Sequence, residues 1–274
     1  PKRIGRVLLD DPRVRKITFT GSTEVGKYLM REAAAHVKRI SLELGGHAPF
    51  LIFDDADLDA AVKGVVASKF RNAGQTCICA NRILVQRSVY DAFVARFVDA
   101  VRALKVGHGL DDGVDIGPLV DEAAVEKVLG QVADAREKGA EVLVGGYRLT
   151  EGAYGRGHFV APTVLANVDE GMAVWQEETF GPVAPVAVFD DEDDAIAKAN
   201  RSRYGLAAYV YTQGLSRAMR VAEQLEYGIV GVNDPVPSVA QAPFGGWKES
   251  GIGREGGREG IDAFLETKYV SFGI

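Results

Sequence analysis

Cys77 and Cys79 are the only cysteines in the chain, and both lie at the end of Phe70-Arg71-Asn72-Ala73-Gly74-Gln75-Thr76-Cys77-Ile78-Cys79. A cysteine used for packing sits more often among apolar neighbours. Here Asn, Gly, Gln and Thr surround it. A thiol in a polar turn beside free backbone N–H groups can have a lowered pKa and act as a nucleophile. On composition a buried inert thiol and a metal ligand stay open as well. The metal reading is the poorest, because Cys-x-Cys lacks a second Cys or His pair and the four histidines are scattered. Glu43, in Leu42-Glu43-Leu44-Gly45-Gly46, is an acid at a strand end flanked by leucines. Partial burial raises such a carboxylate toward the range of a general base; in solvent it is an ordinary edge acid.

Gly21-Ser22-Thr23-Glu24-Val25-Gly26 follows a strand and opens a helix, so unpaired N–H groups and the helix dipole there can face an anion, with the Ser22 hydroxyl adding a hydrogen bond. An ordinary N-cap explains it equally well. A literal G-x-G-x-x-G occurs at Gly251-Ile252-Gly253-Arg254-Glu255-Gly256. It follows Trp247-Lys248-Glu249-Ser250 rather than a buried strand, so it reads as a structural turn and not as a dinucleotide fingerprint. The acidic run Asp54, Asp55, Asp57, Asp59 invites a calcium loop. With Asp55 as first ligand that loop needs Gly at 60 and Glu at 66, where the chain has Ala60 and Val66. Helix capping explains these aspartates better, and those at 190–194 likewise.

Strands and helices in alternation must position these groups, which predicts α/β layers with largely parallel sheets. Helices are expected at 2–9, 23–37, 54–72, 88–104, 121–138, 194–200, 215–226 and 257–266. Strands are expected at 14–20, 38–43, 49–53, 82–87, 141–144, 183–189, 207–212, 228–232 and 268–272. The 274 residues suffice for one large domain or two ordinary ones, and 47% hydrophobic with 26% charged is the balance of a globular protein. A net charge of −6 lacks the basic footprint of a nucleic-acid binder. No apolar stretch approaches the ~18 residues that cross a bilayer, and no leader is visible, so the expected setting is a reducing cytoplasm without membrane or nucleic-acid partners. The 32 glycines exceed the usual share and cluster where strands turn into helices, as at tight turns or ligand approaches. Pro1 stands in place of Met ahead of a helical segment, so the chain reads as cut from something longer.

Five segments, FTGSTEVG, LELGG, FRNAGQTC, EETFGPV and PFGGWKESGIGRE, occur in the order and approximate spacing of the NAD(P)-dependent aldehyde dehydrogenases. From about residue 14 to the C-terminus the chain resembles that family. The resemblance implies its fold in truncated form: the end of a Rossmann-like cofactor domain (1–45), an α/β catalytic domain (46–250), then a returning segment with an oligomerisation strand (251–274). It implies Cys77 as nucleophile and Glu43 as the base that activates the deacylating water. It implies Gly21 and Ser22 at the pyrophosphate, Glu178 on the nicotinamide ribose and Phe180 packed near the nicotinamide of NAD or NADP. Asn233 and Phe244 fall beside the substrate funnel. The thiolate attacks the aldehyde, hydride passes to the cofactor, and water releases the acid from a thioester. Family members are nearly twice this length, and the asparagine that completes their oxyanion hole belongs to the part absent here.

KFRNAGQTCICANR is similar to the corresponding segment of succinate-semialdehyde dehydrogenases, which carry this Arg and the Cys-x-Cys. Arg71 then clamps a distal carboxylate of the substrate, a task suited to a guanidinium; as a plain helix-end cation it caps carbonyls instead. The resemblance also implies a Cys77–Cys79 disulfide that switches activity off under oxidation. The segment 234–241 departs from those enzymes with Pro235 and Pro237, leaving Ser238 as the anchoring hydroxyl. That keeps glutarate semialdehyde, 2-oxoglutarate semialdehyde and other small aldehydes open, along with an inactive fragment. A cysteine hydrolase pairing Cys77 with a histidine is the rival chemistry. A homodimer or homotetramer is expected.

Overall fold

The computed structural model describes residues 2–274. The chain runs through α1 (Lys2–Asp10), β1 (Lys16–Thr20), α2 (Thr23–Ala33), β2 (Arg39–Glu43), β3 (Ala48–Ile52), α3 (Leu58–Phe70), β4 (Ala80–Gln86), α4 (Tyr90–Arg102), α5 (Glu122–Glu137) and β5 (Glu141–Val144). A small hairpin pairs β6 (Arg148–Leu149) with β7 (Phe159–Val160). Then come β8 (Thr163–Ala166), α6 (Ala173–Gln176), β9 (Val183–Phe189), α7 (Glu192–Asn200), β10 (Tyr204–Gly205), β11 (Ala207–Tyr211), α8 (Leu215–Gln224) and β12 (Ile229–Val232). Short pieces end the chain: β13 (Trp247–Lys248), β14 (Gly251–Ile252) and α9 (Glu259–Asp262).

Seven strands form the main sheet in the order β12-β11-β3-β4-β9-β8-β5. All pairs are parallel except β5 with β8. Its middle strands carry apolar runs buried on both faces, as parallel strands covered by helices require. Pro49 cannot donate to a ladder, and the β3–β4 register shifts between Ala48 and Pro49. On one face, α3 and α4 join through Phe70, Phe93 and Phe97, with Phe93 and Phe97 stacked at 5.5 Å. A separate sheet orders β1-β2-β14, with β1 and β2 parallel and β14 antiparallel to β2. Gly251 and Ile252 thus return to the strand that ends at Glu43.

Side-chain oxygens start the helices. Ser22, Asp57, Asp121 and Asp191 are N-caps that accept first-turn N–H bonds of α2, α3, α5 and α7. Asp54 and Asp55 pair with Arg217, and Asp55 also accepts from Thr212 Oγ1. The aspartates of that run therefore cap and pair, as the capping reading expects. Gly251 and Gly253 of the G-x-G-x-x-G adopt φ of +143° and +91°, the backbone of a turn.

Three expectations need correction. The helix expected at 257–266 is only the four residues of α9, because Gly256 and Gly257 take left-handed φ and Gly260 adds further freedom. The strand expected at 268–272 is irregular: a strand exists through its ladder, and these residues pair with nothing described. The helix expected to reach Asn72 ends at Phe70, where the chain tightens and Asn72 and Ala73 turn left-handed.

Candidate active site

A cavity of about 830 Å³ lies where the C-terminal ends of β1 and β2 meet the loops leading into β4 and β9. Gly21, Ser22, Glu43, Arg71, Cys77, Glu178, Phe180, Ser238 and Phe244 all line it. The structure thus brings these sequence-predicted groups to one place. Cys79 does not line it, and neither does Asn233. The Asn233 amide is tied to the backbone of Thr212, accepting its N–H at 3.2 Å and donating to its carbonyl at 2.9 Å.

Cys77 is half-buried at the end of a loop held in shape from its start. Asn72, Ala73 and Gly74 have φ of +52°, +56° and +74°. Gln75 N–H donates to the Asn72 carbonyl at 3.0 Å, and the Gln75 side chain ties down Val120 N–H at 2.9 Å. The Tyr209 hydroxyl donates to the Ile78 carbonyl at 2.6 Å. Burial, then the charges of Glu43 and Glu178, push the Cys77 thiol up to about 11. The backbone N–H groups of Cys77 and Ile78 pull the other way, because they face the sulfur. Both thiols are free.

Glu43 ends β2 and is 5% exposed, with neither carboxylate oxygen hydrogen-bonded. Burial, reinforced by Glu255 and opposed by Arg254, raises it to about 7. A carboxylate free of fixed partners and poised near neutrality can take a proton. The edge-acid reading is set aside by that burial.

Glu178 Oε1 accepts the Gly46 N–H at 2.9 Å, and burial raises its pKa while Gly46, Lys127 and Lys69 oppose the rise. Its other oxygen lies 2.7 Å from where a Gly45 Cβ would stand, so glycine there leaves the carboxylate its place. The opening turn of α2, capped by Ser22, leaves first-turn N–H groups without intrahelical acceptors beside this cavity. An anion-binding helix end, a carboxylate for ribose hydroxyls and Phe180 on one wall fit a nicotinamide dinucleotide. Lys127, exposed on α5, also borders the cavity. Sequence reading missed it; only its place on the helix after Asp121 could have signalled it.

The exposed Arg71 makes no hydrogen bond or ion pair within the protein among the described residues, so its guanidinium stays free for an anion. No histidine borders the cavity. The fully buried His47 is turned to the Trp175 carbonyl at 2.7 Å, and burial drives its pKa well below the ordinary range. A cysteine–histidine pair is therefore not formed at Cys77.

Fold and site together describe a thiol nucleophile, a buried base and a dinucleotide cradle at the meeting of two α/β sheets. The profile described as "Aldehyde dehydrogenase family" matches residues 1–270, and the chain belongs to that family. It is 55% identical over 271 residues to succinate-semialdehyde dehydrogenase [NADP(+)] of Escherichia coli K12, covering 99% of this chain and 55% of that protein. It is 54% identical over 270 residues to glutarate-semialdehyde dehydrogenase of Pseudomonas aeruginosa, covering 98% of this chain and 55% of that protein. The solved structure of an E. coli NADP-dependent enzyme superposes with a TM-score of 0.96 at 55% identity, covering 99% of this chain and 56% of that one. The chain spans about half the length of the curated relatives it matches.

Proposed function

We propose that the protein carrying this chain oxidises a semialdehyde with a distal carboxylate, succinate semialdehyde first, to the dicarboxylic acid. The observation that carries the reading is the convergence of Cys77, Glu43 and Arg71 on one cavity. The Cys77 sulfur attacks the aldehyde carbon, and the Cys77 N–H supplies part of an oxyanion hole. Arg71 binds the substrate's distal carboxylate, with the Ser238 hydroxyl and the Phe244 ring on the same walls. The chemistry that bound NAD or NADP supplies is hydride acceptance, with Gly21, Ser22 and Glu178 holding the dinucleotide. Glu43 takes a proton from the water that releases the acid from Cys77.

Glutarate semialdehyde is the second reading, favoured by the Pseudomonas relative and by the two prolines flanking Val236. The exposed Tyr269, Val270 and Phe272 support a homo-oligomer. No helix among the described residues is long and apolar enough to cross a membrane. Two free thiols suit a reducing compartment such as the cytoplasm.

The test is steady-state turnover by the full-length protein of succinate, glutarate and 2-oxoglutarate semialdehydes against an uncharged aldehyde of similar length, with each dinucleotide. A kcat/KM at least ~10-fold higher for the acids is expected from a charge-assisted clamp. Equal values contradict the substrate class.

A further inference from the structure

A buried ionic centre lies behind the nucleophile. Lys69, next to the last residue of α3, is 0% exposed, yet no carboxylate stands within ion-pair distance of its ammonium among the described residues. Its Nζ donates to Asn81 Oδ1 at 2.7 Å, and Asn81 Nδ2 has no partner. Cys79 shares this enclosed space: it is buried, and its Sγ donates to the Lys69 carbonyl at 3.2 Å. The Ser68 hydroxyl accepts the Ala80 N–H at 3.2 Å. Residues 68 and 69 are thereby joined to 79, 80 and 81, closing the root of the loop that carries Cys77.

An ammonium buried without a counter-charge is expensive, and the ionisable group beside this one is a thiol. Burial pulls Lys69 down and Cys79 up, and each group opposes the shift of the other. Thr76 also favours the Cys79 thiolate, while Glu178 favours the ammonium and opposes the thiolate. The Tyr209 hydroxyl is turned to the Ile78 carbonyl between the two thiols.

We propose that Lys69 is a positioning residue for Cys79: its buried ammonium, anchored on Asn81, makes Cys79 the thiol that resolves an oxidised Cys77. The inference rests on Cys77 as nucleophile and on the Cys77–Cys79 pair. The oxidant is a hydroperoxide. The Cys77 thiolate attacks its terminal oxygen; an S–O bond forms, the O–O bond breaks, and the leaving oxygen takes a proton. Cys77, oxidised by two electrons, is then a sulfenic acid. The Cys79 sulfur gives up its proton and attacks the Cys77 sulfur. The S–S bond forms, the S–O bond breaks, and hydroxide leaves with that proton as water. Lys69 keeps its own proton and sets how readily Cys79 releases its proton.

The experiment treats the full-length protein with hydrogen peroxide. Mass spectrometry follows dimedone-trapped sulfenic acid at Cys77 and the loss of two hydrogens from the peptide holding both cysteines. Lys69→Met is expected to slow the disulfide step about tenfold, to let the dimedone adduct accumulate and to move the step's pH midpoint upward. Lys69→Arg restores most of the rate. A merely structural loss lowers the rate at every pH without moving the midpoint, and that result overturns the proposal. If Lys69→Met does not fold, Asn81→Asp sets a carboxylate against the ammonium, offsets its charge and is expected to slow the step likewise. A wild-type rate in either folded variant overturns the role of Lys69. Wild-type protein that stops at the sulfenic acid fails earlier, at the Cys77–Cys79 pair, and removes the ground of the inference.

Discussion

Glu43 and Cys77 line one cavity, and the carboxylate's charge works against ionisation of the thiol. The two groups are thereby coupled: removing the charge of Glu43 frees the thiol while it disables the base. Alkylation of Cys77 in apo protein should rise with pH toward a midpoint of about 11, against an ordinary value of 9.0. In Glu43→Gln the midpoint should fall, and iodoacetamide should react faster at a given pH. An unmoved midpoint contradicts the coupling.

The same substitution should cut the release of acid from Cys77. Stopped-flow with aldehyde and dinucleotide is expected to show a burst of reduced cofactor followed by a steady state slower by ~100-fold or more, the usual scale of a general base. In wild type, the deacylation rate should climb with pH as Glu43 ionises, with a midpoint of about 7. A normal steady state in Glu43→Gln removes Glu43 from the mechanism.

Glu43 also ties stability to pH. Its folded-state pKa of about 7 lies above the ordinary 4.5, so the folded protein holds a proton that the unfolded chain has released between those values. Its favourable contribution is full below the ordinary value and is lost as pH rises through about 7. Glu43→Gln should therefore gain stability relative to wild type as pH is raised, a trend that denaturant melts across that range will show or refute.

Arg71→Ala should raise KM for carboxylate-bearing semialdehydes by ~10- to 100-fold, the scale of charge-assisted hydrogen bonds, and spare uncharged aldehydes. Equal losses for both would make Arg71 a structural cation.

Gly46 meets the nucleophile from behind: a Cβ there would overlap the Cys77 carbonyl oxygen. Gly46→Ala should cost about 1–3 kcal/mol of stability, as overpacking against backbone does, and lower kcat further by moving Cys77. Full activity with an unchanged thermal midpoint contradicts that contact.

Much of this site was legible because its chemistry is local in sequence. Cys77 announced itself by polar neighbours, and Ser22 by the strand-to-helix step at Gly21. Burial of Glu43 was not legible, since its leucine neighbours suit an edge strand as well as an enclosed one, and Glu255 approaches it from over 200 residues away. In the main sheet, β8 was overlooked: Thr163–Ala166 is four residues long and buried on both faces, so it shows no alternation. The ends of α9 and the final segment depend on glycine conformation and on pairing, which periodicity does not encode. Lys69 read as one more lysine near the end of α3 and is fully buried.

The most direct test of the central claim is to mix full-length Glu43→Gln protein with succinate semialdehyde and dinucleotide, quench with acid and map the adduct by mass spectrometry. The account predicts a succinyl group on Cys77, absent when the dinucleotide is omitted and absent from a Cys77→Ala protein that still binds dinucleotide. Turnover by Cys77→Ala, or an acyl group on any other residue, would contradict it.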